Sequence, residues 1–138
     1  MRFPYHGAGV AIIDSENRVL LGCRSKKPFM NRWSVPGGGR EVLLNETPIQ
    51  TAFRETLEET GIDLTCVEKT GLGSWSLKVP FFSWTTFFFR IDGYPVENLK
   101  PCEFSVLKFV SFDEIKTLGL RPFSRFELGK LKKKIQNG

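Results

Sequence analysis

Three glutamates, Glu55, Glu58 and Glu59, lie close together near the end of a predicted helix. At about 100° per residue, their spacing places the three carboxylates on one arc of the helix. Like charges at i, i+4 repel, and carboxylates near a helix C-terminus oppose the helix dipole, so the cluster favours a cation as its partner. Oxygen ligands without His or Cys select Mg²⁺ or Mn²⁺. A solvated acidic stripe on an ordinary amphipathic helix is the alternative that the pattern leaves open.

A basic segment (residues 24–32) leads into three consecutive glycines (residues 37–39) upstream of the glutamates. Glycine permits φ > 0 and a close approach of the backbone to a ligand, and free backbone amides beside cations suit a phosphate. We therefore predict a turn at the glycines that faces the acidic helix. A tight turn without a ligand accounts for the three glycines equally well.

The acidic helix has recognisable ends. Thr47 at the N-cap, Pro48 at the first helical position and Gln50 completing a capping box predict its start. Gly61 as the residue after the last turn predicts its end. The spacing of the other residues predicts an apolar face opposite the carboxylates, which would pack on the core. The members of this face are Ile49, Phe53, Thr56, Leu57 and Thr60.

Apolar and alternating runs elsewhere predict a β-rich domain. Residues 5–14 and 18–24 flank a polar turn and predict a hairpin. Further extended segments are predicted at residues 33–36, 62–69, 73–78, 81–91 and 104–112. Residues 81–91 are apolar on both faces, which is typical of a strand inside a layered structure. Residues 111–114 form a second capping-box pattern, and residues 122–135 predict a terminal helix. Its predicted core residues are Phe123, Phe126, Leu128, Leu131 and Ile135.

The segment around the glutamates resembles the signature of the Nudix hydrolases. In that pattern a Glu is followed by seven residues and then by Arg-Glu-aliphatic-x-Glu-Glu-x-Gly-aliphatic. Here Glu46 is followed by seven residues and then by Arg-Glu-Thr-Leu-Glu-Glu-Thr-Gly-Ile at residues 54–62. The segments before the box are also similar, so the resemblance covers about residues 10–64. Two positions depart from the pattern: Arg40 stands where it has a glycine, and Thr56 replaces an aliphatic residue.

The resemblance implies roles for individual residues. Glu58 and Glu59 would ligate Mg²⁺ or Mn²⁺, Glu55 would ligate the ion or act as a base, and Arg54 would orient Glu55. The implied reaction is hydrolysis of a nucleoside diphosphate linked to another group, with activated water attacking phosphorus. Further implied participants are Glu46 in the outer metal shell, the Gly38 carbonyl on the metal, and one more glutamate, Glu103 or, as second choice, Glu97.

Substrate contacts are predicted on the basic segment and on aromatic side chains. Arg24 would clamp a phosphate, and Lys27, Arg32 and Gly39 would contact the substrate beside it. Stacking of a nucleobase on an aromatic ring contributes about 1–3 kcal/mol, and Trp75 is the predicted stacking residue. Other aromatic candidates are Trp84, Phe29, Phe81 and Phe82, although most of the 13 phenylalanines are expected in the core.

Composition narrows the classes of protein. A chain of 138 residues with 41% hydrophobic and 25% charged residues fits one domain. Its longest apolar stretch, residues 79–89, falls short of the roughly 20 residues of a membrane helix, and the N-terminal residues lack the apolar core of a secretory signal. We therefore expect a cytoplasmic protein with three reduced, mostly buried cysteines. The single histidine, His6, argues against histidine-based triads and multi-histidine zinc sites.

The whole chain has a net charge of +5, and much of the positive charge lies near the C-terminus. Residues 116–138 hold seven basic residues and one glutamate. Lys130 to Lys134 predict a solvated helix face or, alternatively, a surface that attracts nucleic acid. A noncatalytic nucleotide- or RNA-binding module is therefore the alternative to an enzyme acting on a nucleoside triphosphate, a nucleotide sugar or a dinucleotide. For the enzyme we expect a nucleotide partner, no membrane or nucleic-acid partner, and either a monomer or a homodimer.

These elements predict one α+β domain over residues 1–138. Hairpin-linked strands together with one strand buried on both faces predict an α/β/α sandwich. Its sheet would be mixed, partly antiparallel, and enclosed between helices.

Overall fold

The computed structural model describes residues 2–137, and the strands and helices of this part of the chain follow the predicted order with some changes. The strands are β1 (Tyr5–Ile13), β2 (Val19–Arg24), β3 (Trp33–Ser34), β4 (Gly37–Gly39), β5 (Thr70–Val79), β6 (Phe82–Arg90) and β7 (Phe104–Val110). The helices are α1 (Pro48–Thr60), α2 (Phe112–Ile115) and α3 (Ser124–Asn137), and Val42–Leu44 and Val96–Asn98 form short 3₁₀ turns.

The strands form one mixed sheet in the order β3-β2-β1-β6-β5. β1 and β6 run parallel over their whole length, and the other pairings are antiparallel. β1 pairs with β2 only near the hairpin, at Ile13 and Val19, after which β4 takes the place beside β1 and β7 pairs with β2. As a result, one edge of β4 pairs with β1 and the other is open to side chains from α1.

Hydrophobic clusters on both faces of the sheet confirm the predicted sandwich. On the α1 face, Ala52 and Ile62 pack with alternate residues of β1 that include Val10 and Ile12. On the other face, Leu128 and Leu131 of α3 pack with Ala11 and Phe88. Because side chains of a strand alternate between faces, β1 contributes to both clusters. The central strands are thus covered on both sides, as the apolar composition of residues 81–91 predicted.

The predicted ends of α1 are confirmed, but its predicted apolar face is only half right. Thr47 and Gln50 form the reciprocal capping box, and Gly61 ends the helix with φ = 82°. Thr56 and Thr60 are buried as predicted, whereas Ile49 and Leu57 are 41% and 45% exposed. The buried side of α1 is rotated toward the acidic residues and includes Glu59. Ala52 and Thr56 are small, so this side lies close to the sheet, and Glu59 finds a backbone donor there.

Two predicted backbone conformations are wrong. Residues 62–69 form turns instead of a strand, because the Asp63 side chain accepts hydrogen bonds from the amide and hydroxyl of Thr65. The buried side chains of Ile62 and Leu64 anchor this loop to the core. The three glycines form strand β4 instead of a turn, and none of them has a positive φ. They allow a close approach of backbones, since a Cβ on Gly37 would lie 2.6 Å from the Cα of Gly9.

The C-terminal helices also differ in part from prediction. Ser111 caps α2 by accepting from the Glu114 amide, but the Glu114 carboxylate pairs with Lys108 and does not complete a capping box. In α3, Leu128 and Leu131 are buried, whereas Phe123, which precedes the helix with φ = 70°, and Phe126 are exposed. No helix in residues 2–137 is long and apolar enough to cross a bilayer.

The prediction of mostly buried cysteines is wrong. All three thiols are free, but Cys66 and Cys102 are exposed and Cys23 is half-buried. Cys66 lies in the turn after Asp63 and Cys102 lies in the loop before β7, so neither belongs to a strand or helix that packs on the core.

Candidate active site

Side chains of α1 bind the open edge of β4. The Gly37 amide donates to Glu59 Oε1 at 2.8 Å, and Arg54 Nη2 donates to the Gly39 carbonyl at 3.0 Å. Between them, Gly38 faces the Glu55 carboxyl so closely that a Cβ there would lie 2.5 Å from Glu55 Cδ. The glycines and the acidic helix are therefore in direct contact, as the sequence predicted, although the glycines are extended.

Burial raises the pKa of the two carboxyls at this edge. Glu59 is only 6% exposed, and desolvation raises its pKa to about 8 against the opposing effect of the Gly37 amide. Desolvation also raises the pKa of Glu55, where Arg54 opposes the shift and Glu58 adds to it. Glu103 contributes to both shifts through its charge. This edge of the sheet thus concentrates negative charge that is only partly compensated.

Arg54 is the centre of a network that orders the acidic residues. Its Nε donates to Glu46 Oε2 at 2.7 Å, and its Nη1 contacts Glu55 Oε1 at 3.0 Å and Glu58 Oε1 at 3.2 Å. Glu46 is further held by the Glu41 amide and the Thr51 hydroxyl. The Arg54 guanidinium lowers the pKa of Glu46 to about 2. One cation therefore holds three carboxylates, which leaves the network with excess negative charge.

Replacing Glu46 with glutamine is expected to lower the free energy of unfolding by about 1.5–3 kcal/mol near neutral pH, because Arg54 loses the nearest of its three charged partners. The effect depends on pH. The pKa of Glu46 falls from 4.5 to about 2 on folding, so its contribution to stability is complete above pH 4.5 and is lost progressively as the pH falls from 4.5 to about 2. Urea unfolding at a series of pH values measures this difference between the variant and the parent protein.

The matched control for this prediction is Glu16→Gln, which removes an exposed carboxylate paired with Arg18. Exposed ion pairs contribute little to stability, so this variant is expected to lower the free energy of unfolding by less than about 1 kcal/mol. A Glu46→Gln difference that stays constant down to pH 2.5 would show that the carboxylate charge is not the cause.

A cavity of about 740 Å³ opens beside the carboxylates. Glu55, Glu59 and Glu103 line it, together with Arg24, whose Nε donates to the Pro28 carbonyl at 2.9 Å. The rest of the wall is mostly apolar and aromatic, and includes Tyr5, Leu77, Phe82, Trp84 and Phe123. A cavity lined by carboxylates, arginine and aromatic rings suits a ligand with a charged and a planar part.

The predicted site residues fall into two groups. The cavity lining contains Arg24, Gly38, Gly39, Glu55, Glu59 and Glu103. Glu58, Glu46 and Arg54 are not among the lining residues: Glu58 is half exposed and bound to Arg54, which is itself bound to Glu46. The Gly38 carbonyl points toward β1, 2.7 Å from where a Cβ of Gly7 would lie. The role of each residue in binding or catalysis stays a prediction.

Several predicted substrate-binding residues lie outside the cavity lining. Trp75 packs against the core cluster on the α3 face. Lys27 is exposed, and Arg32 lies against Gly119. Glu97 is in an exposed 3₁₀ turn, and Phe81 is 71% exposed outside the cavity. The other aromatic candidates for stacking, Trp84, Phe29 and Phe82, do line the cavity.

Two charged residues of the cavity, Arg121 and Glu127, were missed by sequence reasoning, which assigned both to a basic C-terminal segment. Glu127 is fully buried on α3, and Arg121 lies over the Trp84 ring at 4.5 Å. One signal was present in the sequence: Glu127 lies one turn before Leu131 and beside Leu128, which places a carboxylate on an apolar helix face.

The carboxylates beside β4 are of the chemical type that binds a hard dication, although they do not converge on one point. No group of three acidic, histidine or cysteine side chains within residues 2–137 converges closely enough to hold a metal ion. Within the same residues Glu59 Oε2 and Glu55 Oε2 make no hydrogen bond, and burial is the main cause that raises the pKa of both carboxyls. Carboxylate oxygens of this kind suit Mg²⁺ or Mn²⁺.

Comparison with known proteins agrees with this architecture. The NUDIX domain model matches residues 4–128. A Nudix hydrolase from M. smegmatis, RenU, superposes with a TM-score of 0.81 at 21% identity, covering 99% of this chain and 89% of that one.

Among curated relatives, the 8-oxo-dGTP diphosphatase of Proteus vulgaris is 44% identical over 61 residues, which are 44% of this chain and 53% of the relative. An RNA pyrophosphohydrolase of Rickettsia rickettsii is 34% identical over 80 residues, 57% of this chain and 48% of the relative. The matched region therefore spans about half the length of these two relatives.

Proposed function

We propose that this chain, which belongs to the NUDIX family, is a divalent-metal-dependent pyrophosphohydrolase acting on a nucleoside diphosphate linked to another group. The observation that carries the proposal is the contact of Glu55 and Glu59 with the open edge of β4 in the lining of an aromatic cavity. The names of the two curated relatives agree with hydrolysis of a phosphoanhydride. Cytoplasmic location and the choice between monomer and homodimer stay predictions.

Glu55 and Glu59 would hold the metal ion, with Glu58 and Glu103 as further oxygen donors. When bound, such an ion lowers the pKa of water and neutralises charge on the phosphate oxygens. Its positive charge would also stabilise the charged forms of Glu59 and Glu55, whose pKa values are raised by burial. Glu59 is already fixed by the Gly37 amide and Glu55 by Arg54, so a bound ion would have to draw the remaining donors toward these two carboxylates.

The two arginines and the aromatic residues of the site would have separate roles. Arg54 holds Glu55 and Glu58 in place and is itself fixed by Glu46, so it acts as a positioning residue. Arg24 lines the same cavity, its positive charge acts on Glu59, and its guanidinium would bind a phosphate oxygen. The aromatic wall would hold the nucleoside and exclude water around it.

The proposal is tested by hydrolysis of a nucleotide panel with Mg²⁺, with Mn²⁺ and with EDTA. The panel contains the common nucleoside triphosphates, 8-oxo-dGTP, a dinucleoside tetraphosphate, a nucleotide sugar and a 5′-triphosphorylated RNA. Products are identified by mass spectrometry, and ¹⁸O-labelled water shows whether the label enters a phosphate. We expect metal-dependent cleavage of at least one compound with the label on phosphorus.

Nucleotide binding without cleavage of any compound would overturn the proposal in favour of a noncatalytic binding module. The residues for RNA binding in that alternative lie on the outer face of α3, where Lys130, Lys133 and Lys134 are exposed. Salt-dependent RNA binding measured alongside the panel tests it directly, since each phosphate contact steepens the salt dependence.

A further inference from the structure

Two arginines of the cavity lining, Arg24 and Arg121, have no carboxylate partner within residues 2–137. The Nε of Arg24 donates to the Pro28 carbonyl, and in the same part of the chain its Nη1 and Nη2 bind no group. The guanidinium of Arg121 lies 4.5 Å from the centre of the Trp84 ring and makes no hydrogen bond to any residue from 2 to 137. The cavity thus holds two cations whose donors are free for a ligand.

Glu127 does not supply the missing counter-charge for Arg121. Its negative charge acts on Arg121, but the two side chains form no ion pair in the described part of the chain. Burial raises the pKa of the Glu127 carboxyl against the opposing effect of Arg121, and Glu127 Oε2 accepts from the Thr86 hydroxyl instead. Desolvation lowers the pKa of Arg121, and the like charge of Arg24 lowers it further.

Trp84 holds Arg121 near the edge of β4 to which Glu59 is bound. A Cβ on Gly9 or Gly37 would lie 3.1 or 2.9 Å from atoms of the Trp84 ring, so the ring lies directly against the backbone of β1 and β4. The Gly37 amide donates to Glu59 Oε1. Arg121, which contacts the same ring, is therefore close enough for the charge of Glu59 to act on its pKa.

The Tyr5 hydroxyl lies where the charges of the cavity meet. A Cβ on Gly39 would lie 3.6 Å from this hydroxyl, which places it beside β4. Desolvation raises the pKa of Tyr5, the charges of both arginines oppose this shift, and those of Glu55 and Glu59 add to it. Both arginines therefore belong to the same charged cluster as the two carboxylates.

We propose that Arg121 is a phosphate-binding residue, which together with Arg24 holds the anionic chain of the substrate. The inference rests on the proposed function, because it assigns a contact to the substrate of the same cavity. A charged side chain that is desolvated without a partner is costly, and an anionic ligand would remove this cost. A guanidinium with free donors also matches two phosphate oxygens at once, and carboxylates beside it would hold the dication that accompanies such a chain.

Imidodiphosphate tests the contact without a nucleoside and without turnover, because the nitrogen that bridges its two phosphates resists hydrolysis. Its Kd is measured by calorimetry with Mg²⁺ and with EDTA. We expect Arg121→Met to raise the Kd by about 10- to 150-fold, the range for losing one hydrogen bond between charged groups. We expect Arg121→Lys to raise it by less than about tenfold, since an ammonium still binds phosphate as a point charge.

Arg125→Met is the matched control, because Arg125 is exposed on α3, is not among the lining residues and loses the same charge. It is expected to bind imidodiphosphate as the parent protein does. Equal weakening by Arg125→Met and Arg121→Met would show an effect of net charge and overturn the inference. Failure of the parent protein to bind imidodiphosphate under both conditions would overturn it as well.

The salt dependence of binding distinguishes a phosphate contact from a structural role of Arg121 on the Trp84 ring. Salt screens an ion pair between protein and ligand, so the Kd of Arg121→Met should rise less steeply with NaCl than that of the parent protein or of Arg121→Lys. A structural role would leave this slope unchanged and lower the thermal unfolding temperature in both variants. Weaker binding of nucleoside triphosphates with unchanged binding of imidodiphosphate would assign Arg121 to the nucleoside and overturn the inference.

The two proposals fail in different ways. Binding of imidodiphosphate that depends on Arg121, without hydrolysis of any compound of the nucleotide panel, would defeat the proposed function and support the phosphate contact. Hydrolysis of the panel by the parent protein, with the same Kd for imidodiphosphate in the parent and in Arg121→Met, would do the reverse.

Discussion

Glu59→Gln is expected to reduce turnover by roughly 10²–10⁴-fold, since a metal-binding carboxylate contributes several kcal/mol to transition-state stabilisation. The exchange keeps the volume of the side chain, and the amide oxygen can still accept from the Gly37 amide. The loss therefore comes from the charge and not from the packing. It is measured as kcat/KM with the best substrate of the nucleotide panel.

The same variant is expected to be more stable than the parent protein without metal. The folded pKa of Glu59 is about 8 against an ordinary value of 4.5, so the folded protein holds a proton that the unfolded chain releases between these values. Stability of the parent therefore falls as the pH rises through this window, and glutamine avoids the loss. In EDTA at pH 8, urea unfolding should favour Glu59→Gln by on the order of 2 kcal/mol.

Glu68→Gln is the matched control, because Glu68 is exposed in the loop before β5 and the change in charge is the same. It is expected to leave turnover and stability unchanged. Full turnover by Glu59→Gln would remove Glu59 from the site. A variant that loses activity and stability together would instead indicate a structural role.

The sequence predicted the residues around Glu59 better than their arrangement. Capping residues Thr47 and Gly61 report local backbone preferences, which tertiary contacts did not change here. The orientation of α1 depends on what it packs against, and the contact between Glu59 and the Gly37 amide joins residues 22 positions apart. Helical periodicity ranks residues by polarity, so it placed Glu59 opposite the apolar face and Leu57 on the face toward the core.

The aromatic wall of the cavity shows the same limit of local sequence more strongly. Arg121 and Trp84 are far apart in the chain and meet because β6 lies beside β1 and the C-terminal segment folds over that face. Neither belongs to the resemblance around residues 10–64. Trp75 was chosen over Trp84 by sequence, but on β5 its side chain faces the α3 core cluster. Which tryptophan lines the cavity depends on strand pairing, which local sequence did not specify.

Gly38→Ala is expected to lower kcat/KM by on the order of 10²-fold with little loss of stability. The new Cβ would lie 2.5 Å from Glu55 Cδ, so the Glu55 side chain must rotate away from β4. The end of a flexible side chain moves at low cost to folding, but a displacement of about 1 Å in a reacting group costs about this factor in rate. Activity assays and urea unfolding on the same preparation measure the two effects.

Gly71→Ala is the matched glycine control, because its Cβ would meet only the Phe89 ring at 3.8 Å, an ordinary contact outside the site. A double-mutant cycle with Glu55→Gln identifies the cause of the Gly38→Ala loss. If the added methyl group acts by displacing the Glu55 carboxylate, it has little further effect once that carboxylate is gone, because both changes remove the same interaction. Additive losses would show that the methyl group acts through the backbone of β4, and a Gly38→Ala variant with full activity would show that the Glu55 carboxylate works equally well away from β4.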